Sequence, residues 1–163
     1  MKHTLTLFAI LGLFAAQLFA QKAMPDVDVQ TLDGTTINAT EIKATNGPTV
    51  VAFWATWCAP CKKELDAYME QYDTWKAEHG AEVYAVSIDG ARQLKKVPPM
   101  VAAKGWTFPV LSDAEQQLQQ ALAFQSVPQV FVLDKDGQIV YSHAGYVPGD
   151  EAEVAEKLAE LAQ

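Results

Sequence analysis

Thr49-Val50-Val51-Ala52-Phe53-Trp54-Ala55 runs directly into Thr56-Trp57-Cys58-Ala59-Pro60-Cys61-Lys62-Lys63-Glu64. The first seven residues are almost continuously apolar, the pattern of a strand buried on both faces of a parallel or mixed sheet. Beyond the second group, Leu65, Tyr68, Met69, Tyr72 and Trp75 recur at helical spacing and Gly80 supplies a stop. Such an aromatic stripe is read as facing a core. A buried strand ends, an amphipathic helix begins, and two cysteines stand at the junction.

Working outward, Val27 to Leu32 and Thr35 to Asn38 alternate on either side of Asp33-Gly34, which predicts an N-terminal hairpin. Val83 to Ile88 reads as a second buried strand ending at Asp89-Gly90. Residues 91–104 have helical character but contain Pro98-Pro99, so two short pieces or a kink are expected. Phe108 to Leu111 is a short strand, and Ala114 to Phe124 a helix capped by Ser112 or Asp113. Val130 to Leu133 and Ile139 to Ser142 flank the turn Asp134-Lys135-Asp136-Gly137. Glu151 to Leu161 closes the chain as an amphipathic helix with acids in its first turn. The expectation is one α/β domain over residues 21–163, with a central mixed β-sheet flanked by helices.

The chain has 163 residues, half of them apolar and a fifth charged, which suits one globular domain. Its net charge of −8 comes without any basic stripe, so no nucleic-acid partner is expected. Residues 1–20 differ from the rest. Lys2 and His3 precede an apolar run from Leu5 to Ala16, and Gln17-Leu18-Phe19-Ala20 leads into polar sequence. This is the form of a secretory signal peptide cleaved after Ala20, and the run is short for a membrane span. The protein is therefore expected to be exported, to the periplasm of a bacterium.

Export makes the cysteine count informative. There are two, separated by two residues. A bridge closing so short a loop removes unfolded-state entropy equivalent to only about 2 kcal/mol, so the pair is read as reactive rather than as a staple. Zinc would need four ligands, and neither a second CxxC nor paired histidines completes them; no metal and no cofactor are expected. At a helix amino terminus, unpaired N–H groups carry partial positive charge and stabilise a thiolate, the reactive form of Cys58. Pro60 has no N–H to lose in that first turn.

In this setting Trp57-Cys58-Ala59-Pro60-Cys61 resembles the thioredoxin superfamily, and within it the exported TlpA/ResA-like thiol–disulfide oxidoreductases. The likeness extends from the Asp33-Gly34 hairpin to the last helix, and takes in the helix–strand insertion between the two halves of the sheet. It implies a thioredoxin fold in which Cys58 attacks a substrate disulfide and Cys61 resolves the mixed disulfide. It also implies that Val127-Pro128 has a cis bond beside the dithiol, with Val127 meeting substrate backbone. The local sequence alone offers a proline at a strand start. Trp57 and Pro60 complete the substrate-binding set, although an aromatic at 57 could also be packing.

Glu64 stands one helical turn past Cys61. The resemblance implies an acid that assists proton transfer, and the alternative is a solvated glutamate balancing Lys62 and Lys63. Cytoplasmic thioredoxins carry a buried aspartate where this chain has Ala52. Lys62, Lys63 and His143 are read as solvated or structural. The expected partners are protein thiols and disulfides, apocytochrome c among them, with a membrane protein as electron donor; the protein is expected to act as a monomer. Two other functions compete: a non-catalytic binding module, and a thiol peroxidase. A peroxidatic cysteine needs a threonine three residues earlier and a nearby arginine, whereas Thr56 is two residues before Cys58 and the sole arginine is Arg92.

Overall fold

A computed structural model describes residues 22–163, so the expected signal peptide lies outside the described residues. The six residues of β4 (Thr49–Trp54) are buried without exception and form the centre of the sheet. β4 runs parallel to β5 (Glu82–Ser87) on one side and antiparallel to β7 (Gln129–Leu133) on the other. β5 pairs in parallel with β6 (Val110–Ser112), and β7 pairs antiparallel with β8 (Gln138–Ala144). The hairpin forms β2 (Asp28–Thr31) and β3 (Thr36–Asn38), and β2 extends the sheet beyond β6. A two-residue edge strand, β1 (Lys22–Ala23), joins β8 and had no signal in the sequence. The order is β1-β8-β7-β4-β5-β6-β2-β3, a mixed sheet with helices on its faces, as expected.

Helix α1 (Ala59–His79) follows β4 and buries Leu65, Tyr68, Tyr72 and Trp75 against the sheet. Its core-facing stripe is built from aromatic contacts, with Tyr68 5.4 Å from Trp75 and Tyr72 5.8 Å from Phe108 between ring centres. Gly80 ends it in the left-handed conformation at φ 63°, which a Cβ would disfavour. Gly47 lies against this end, where a Cβ would sit 2.4 Å from the His79 carbonyl oxygen. The register of α1 against β4 is thus fixed at the end remote from the cysteines.

The stretch 91–104 holds two short helical pieces, as expected: a 3₁₀ turn at Leu94–Lys96 and α2 (Val97–Lys104), whose first turn takes Pro98 and Pro99, where missing N–H groups cost nothing. One expectation needs correction. Helix α3 (Gln117–Leu122) is shorter than the span 114–124. Asp113 still caps it, but from outside: its carboxylate accepts from the N–H groups of Leu118 (3.2 Å) and Gln119 (2.9 Å), and residues 114–116 loop between. Ser112 belongs to β6 and does not cap. Helix α4 (Glu151–Leu161) packs on α1, with Glu151 and Glu153 in its first turn as read.

Candidate active site

Strand register brings four chain segments to one edge of the sheet. Trp54 ends β4 opposite Ser87, which ends β5. Phe53 faces Gln129, so Pro128 falls beside the segment that leads to Cys58. Gln129 also faces Ala144 at the end of β8, and the Gly145 N–H donates to the Pro128 carbonyl at 2.9 Å. Residues 55–58, 87–89, 126–128 and 145–147 therefore share one end of the molecule.

Cys58 is the N-cap of α1, in extended conformation at φ −87°, ψ 103°. Its N–H closes a turn on the Ala55 carbonyl at 3.0 Å. Its Sγ accepts from the Cys61 N–H at 3.3 Å, so one of the orphan donors of the helix points at the sulfur. Cys58 and Cys61 form a disulfide, with Cα atoms 5.4 Å apart. Cys58 retains 4% exposure and Cys61 none, while Trp57 (62% exposed), Ala59 and Pro60 stand out around them. An approaching sulfur can meet only Cys58. The Val127–Pro128 peptide is cis, Pro128 is buried and Val127 is half-buried on the core.

Glu64 is 1% exposed, which removes the alternative of a solvated glutamate. Its Oε1 accepts from the Tyr68 hydroxyl at 3.2 Å, and its Oε2 has no partner within the protein. Burial pushes its pKa up to about 8; the Tyr68 hydrogen bond opposes this and the charge of Asp150 adds to it. A buried acid thus sits on α1 one turn past Cys61, while position 52 on β4 is the fully buried Ala52.

Several groups had no role in the sequence reading. Lys62 is not simply solvated, because its ammonium folds back to the Thr56 carbonyl at 3.0 Å. His143 is not isolated: its Nε2 lies 3.3 Å from Asp150 and its ring stacks on Tyr141. Val147, 63% exposed, is with Trp57 one of two large exposed apolar side chains among the described residues. The Asp150 carboxylate holds it through the Val147 N–H at 2.8 Å. Its hint in the sequence was weak, a valine beside Pro148-Gly149 between the last expected strand and the last expected helix. Among the described residues no cluster of His, Cys, Asp and Glu could hold a metal ion, and no helix is long and apolar enough to cross a membrane.

The arrangement is suited to exchange at sulfur: a disulfide at a helix N-terminus, one cysteine more exposed than the other, and a buried acid of raised pKa one turn away. Comparisons with known proteins agree. The family model described as AhpC/TSA family matches residues 20–142. Sporulation thiol-disulfide oxidoreductase A of Bacillus subtilis (strain 168) is 26% identical over 158 residues, 92% of this chain and 94% of the relative. Thiol-disulfide oxidoreductase ResA of Bacillus anthracis is 33% identical over 119 residues, 73% of this chain and 66% of that protein's length. Among solved structures, an uncharacterized thioredoxin-like protein from Porphyromonas gingivalis superimposes with a TM-score of 0.77 at 37% identity, covering 85% of this chain and 91% of that one.

Proposed function

Since the chain belongs to the AhpC/TSA family, we propose that it reduces disulfides of exported proteins through Cys58 and Cys61. Its reaction class is that of a thioredoxin-like thiol–disulfide oxidoreductase. The observation that carries the assignment of roles is the unequal exposure of the two cysteines, 4% for Cys58 against none for Cys61. The Cys58 thiolate attacks one substrate sulfur, the substrate S–S bond breaks, and the other sulfur leaves as a thiolate that takes up a proton. Cys61 then loses its proton and attacks Cys58 Sγ. The second substrate sulfur is released, and the Cys58–Cys61 disulfide remains with the substrate reduced by two electrons.

Glu64 is the group to take the Cys61 proton: with its pKa raised to about 8, close to that of a thiol, the fraction that is ionised near neutral pH is a base matched to the task. Trp57, Pro60, Val127 and Pro128 form the surface against which substrate backbone and side chains lie. Val147, exposed at the same end of the molecule, extends it.

The apolar leader of residues 5–16 supports export, to a bacterial periplasm. The Ala59-Pro60 pair supports the reducing direction, with a membrane protein returning electrons to the disulfide. Exported thiol proteins, including apocytochromes c, are the substrate class. The thiol peroxidase reading is not favoured: Ala55 stands three residues before Cys58, and Arg92 is exposed. Cys61→Ala removes the resolving sulfur and should accumulate mixed disulfides in the native host. Mass spectrometry of non-reduced complexes is expected to find exported cysteine proteins joined to Cys58. A trap that collects none of them would count against the substrate class.

A further inference from the structure

Asp89 has no solvent exposure, and nothing in the exchange mechanism uses it. Burying a carboxylate is costly unless it is hydrogen-bonded, and here every bond it accepts comes from a strand end or from the active-site turn. Oδ2 accepts from the Thr56 N–H at 2.7 Å and from the Ser87 hydroxyl at 2.9 Å. Oδ1 accepts from the Thr56 hydroxyl at 2.7 Å. The Ser87 oxygen in turn accepts from the Asp89 N–H at 3.1 Å, which orients the pair. On the other side of the same residue, the Thr56 carbonyl accepts from Lys62 at 3.0 Å. Thr56 is held at its N–H, its hydroxyl and its carbonyl, and it is the first central residue of the turn closed by the Cys58 N–H on Ala55.

A buried negative charge and a partly buried positive one thus bracket the peptide two residues ahead of the nucleophile. Their effects on a sulfur anion at the helix terminus have opposite sign, and burial keeps both from being fully screened. Also facing this end are Glu64 on α1 and, acting on it, Asp150, whose carboxylate lies 3.3 Å from His143; Lys63, beside Lys62, is exposed. We propose that Asp89 is a positioning residue of the dithiol site: through Thr56 it fixes the turn that aims Cys58, and its charge, opposed by Lys62, limits how far the Cys58 thiolate is stabilised. This rests on the reading of Cys58 as the attacking sulfur.

The test uses the reduced protein and follows the rate of Cys58 alkylation by iodoacetamide against pH, together with the equilibrium against glutathione. Asp89→Asn keeps the shape, because its oxygen can still accept from Thr56 and Ser87 while its amide faces the Thr56 hydroxyl. It should lower the pH midpoint of alkylation by about one unit, a roughly tenfold gain in thiolate. The equilibrium should then move toward the reduced protein. Lys62→Met should move the midpoint the opposite way. A purely structural role would loosen the turn in both variants and give no such opposition, so shifts of the same sign, or none, overturn the proposal.

If Asp89→Asn does not fold, Thr56→Val decides. It keeps the charge and the backbone bond but loses the hydroxyl bond, and should slow attack on a disulfide peptide several-fold per unit of thiolate, with Thr56→Ser restoring the rate. An unchanged rate in Thr56→Val overturns the positioning. Alkylation is read whether or not the pair cycles with glutathione, so a wild type that fails to cycle is a distinct result, one that sinks the oxidoreductase mechanism instead.

Discussion

Cys58→Ser is expected to lower the rate of disulfide reduction by at least about a thousandfold, because a serine hydroxyl is not ionised near neutral pH and forms no bond to sulfur that the cycle could resolve. Cys61→Ala should behave differently: it still makes the first bond at close to the wild-type rate and then stalls. The difference follows from exposure, since only Cys58 reaches the surface and Cys61 is enclosed by the first turn of α1. Stopped-flow measurement with a fluorogenic disulfide peptide and stoichiometric reduced protein separates the two steps. If Cys58→Ser reduced the peptide at more than a small fraction of the wild-type rate, the assignment of the attacking sulfur would be wrong. Binding of exported proteins unchanged in both variants, with no exchange in the wild type, would identify a non-catalytic module.

The second large effect is on stability. Glu64 ordinarily ionises near 4.5, as it does when the chain is unfolded, but burial raises it to about 8 in the fold. Between those values the folded protein holds a proton that the unfolded chain has released, so stability falls as pH rises. The contribution is fully present below about pH 4.5, is lost progressively toward pH 8, and is level above that. Its size is on the order of 5 kcal/mol. Urea midpoints of the oxidised protein, in which neither cysteine titrates, should therefore decline from pH 5 to pH 8. Glu64→Gln keeps the acceptor for the Tyr68 hydroxyl and should flatten that decline. The same variant should slow release from the mixed disulfide by about a hundredfold if Glu64 takes the Cys61 proton. A pH slope equal in Glu64→Gln and wild type would show that Glu64 is not held neutral.

Much of this site is legible in the sequence alone, for reasons that differ from residue to residue. β4 was legible because burial on both faces leaves no room for polar residues, and α1 because Leu65, Tyr68, Tyr72 and Trp75 keep helical phase to the Gly80 stop. β1 was not, because two residues at a sheet edge carry no period. The start of α3 was misplaced because Asp113 caps across a three-residue loop rather than from the adjoining position. Glu64 was ambiguous beside Lys62 and Lys63, although Tyr68, four residues on in the buried stripe, was a usable clue. Asp89 could not be connected to Thr56 at all: they are 33 positions apart, and only the parallel pairing of β4 with β5 brings them together. Val147 was hidden for a similar reason, since its place at this end of the sheet depends on the Gly145 bond to the Pro128 carbonyl.

The most direct measurement of the central claim is a redox titration of residues 21–163 against glutathione and dithiothreitol buffers, read by alkylation and mass. A reductant of exported disulfides should give one reversible two-electron transition confined to Cys58 and Cys61. Its midpoint should lie nearer the roughly −270 mV of reducing dithiols than the roughly −120 mV of strong oxidants. A pair that never cycles, or a midpoint at the oxidising end, would contradict the account.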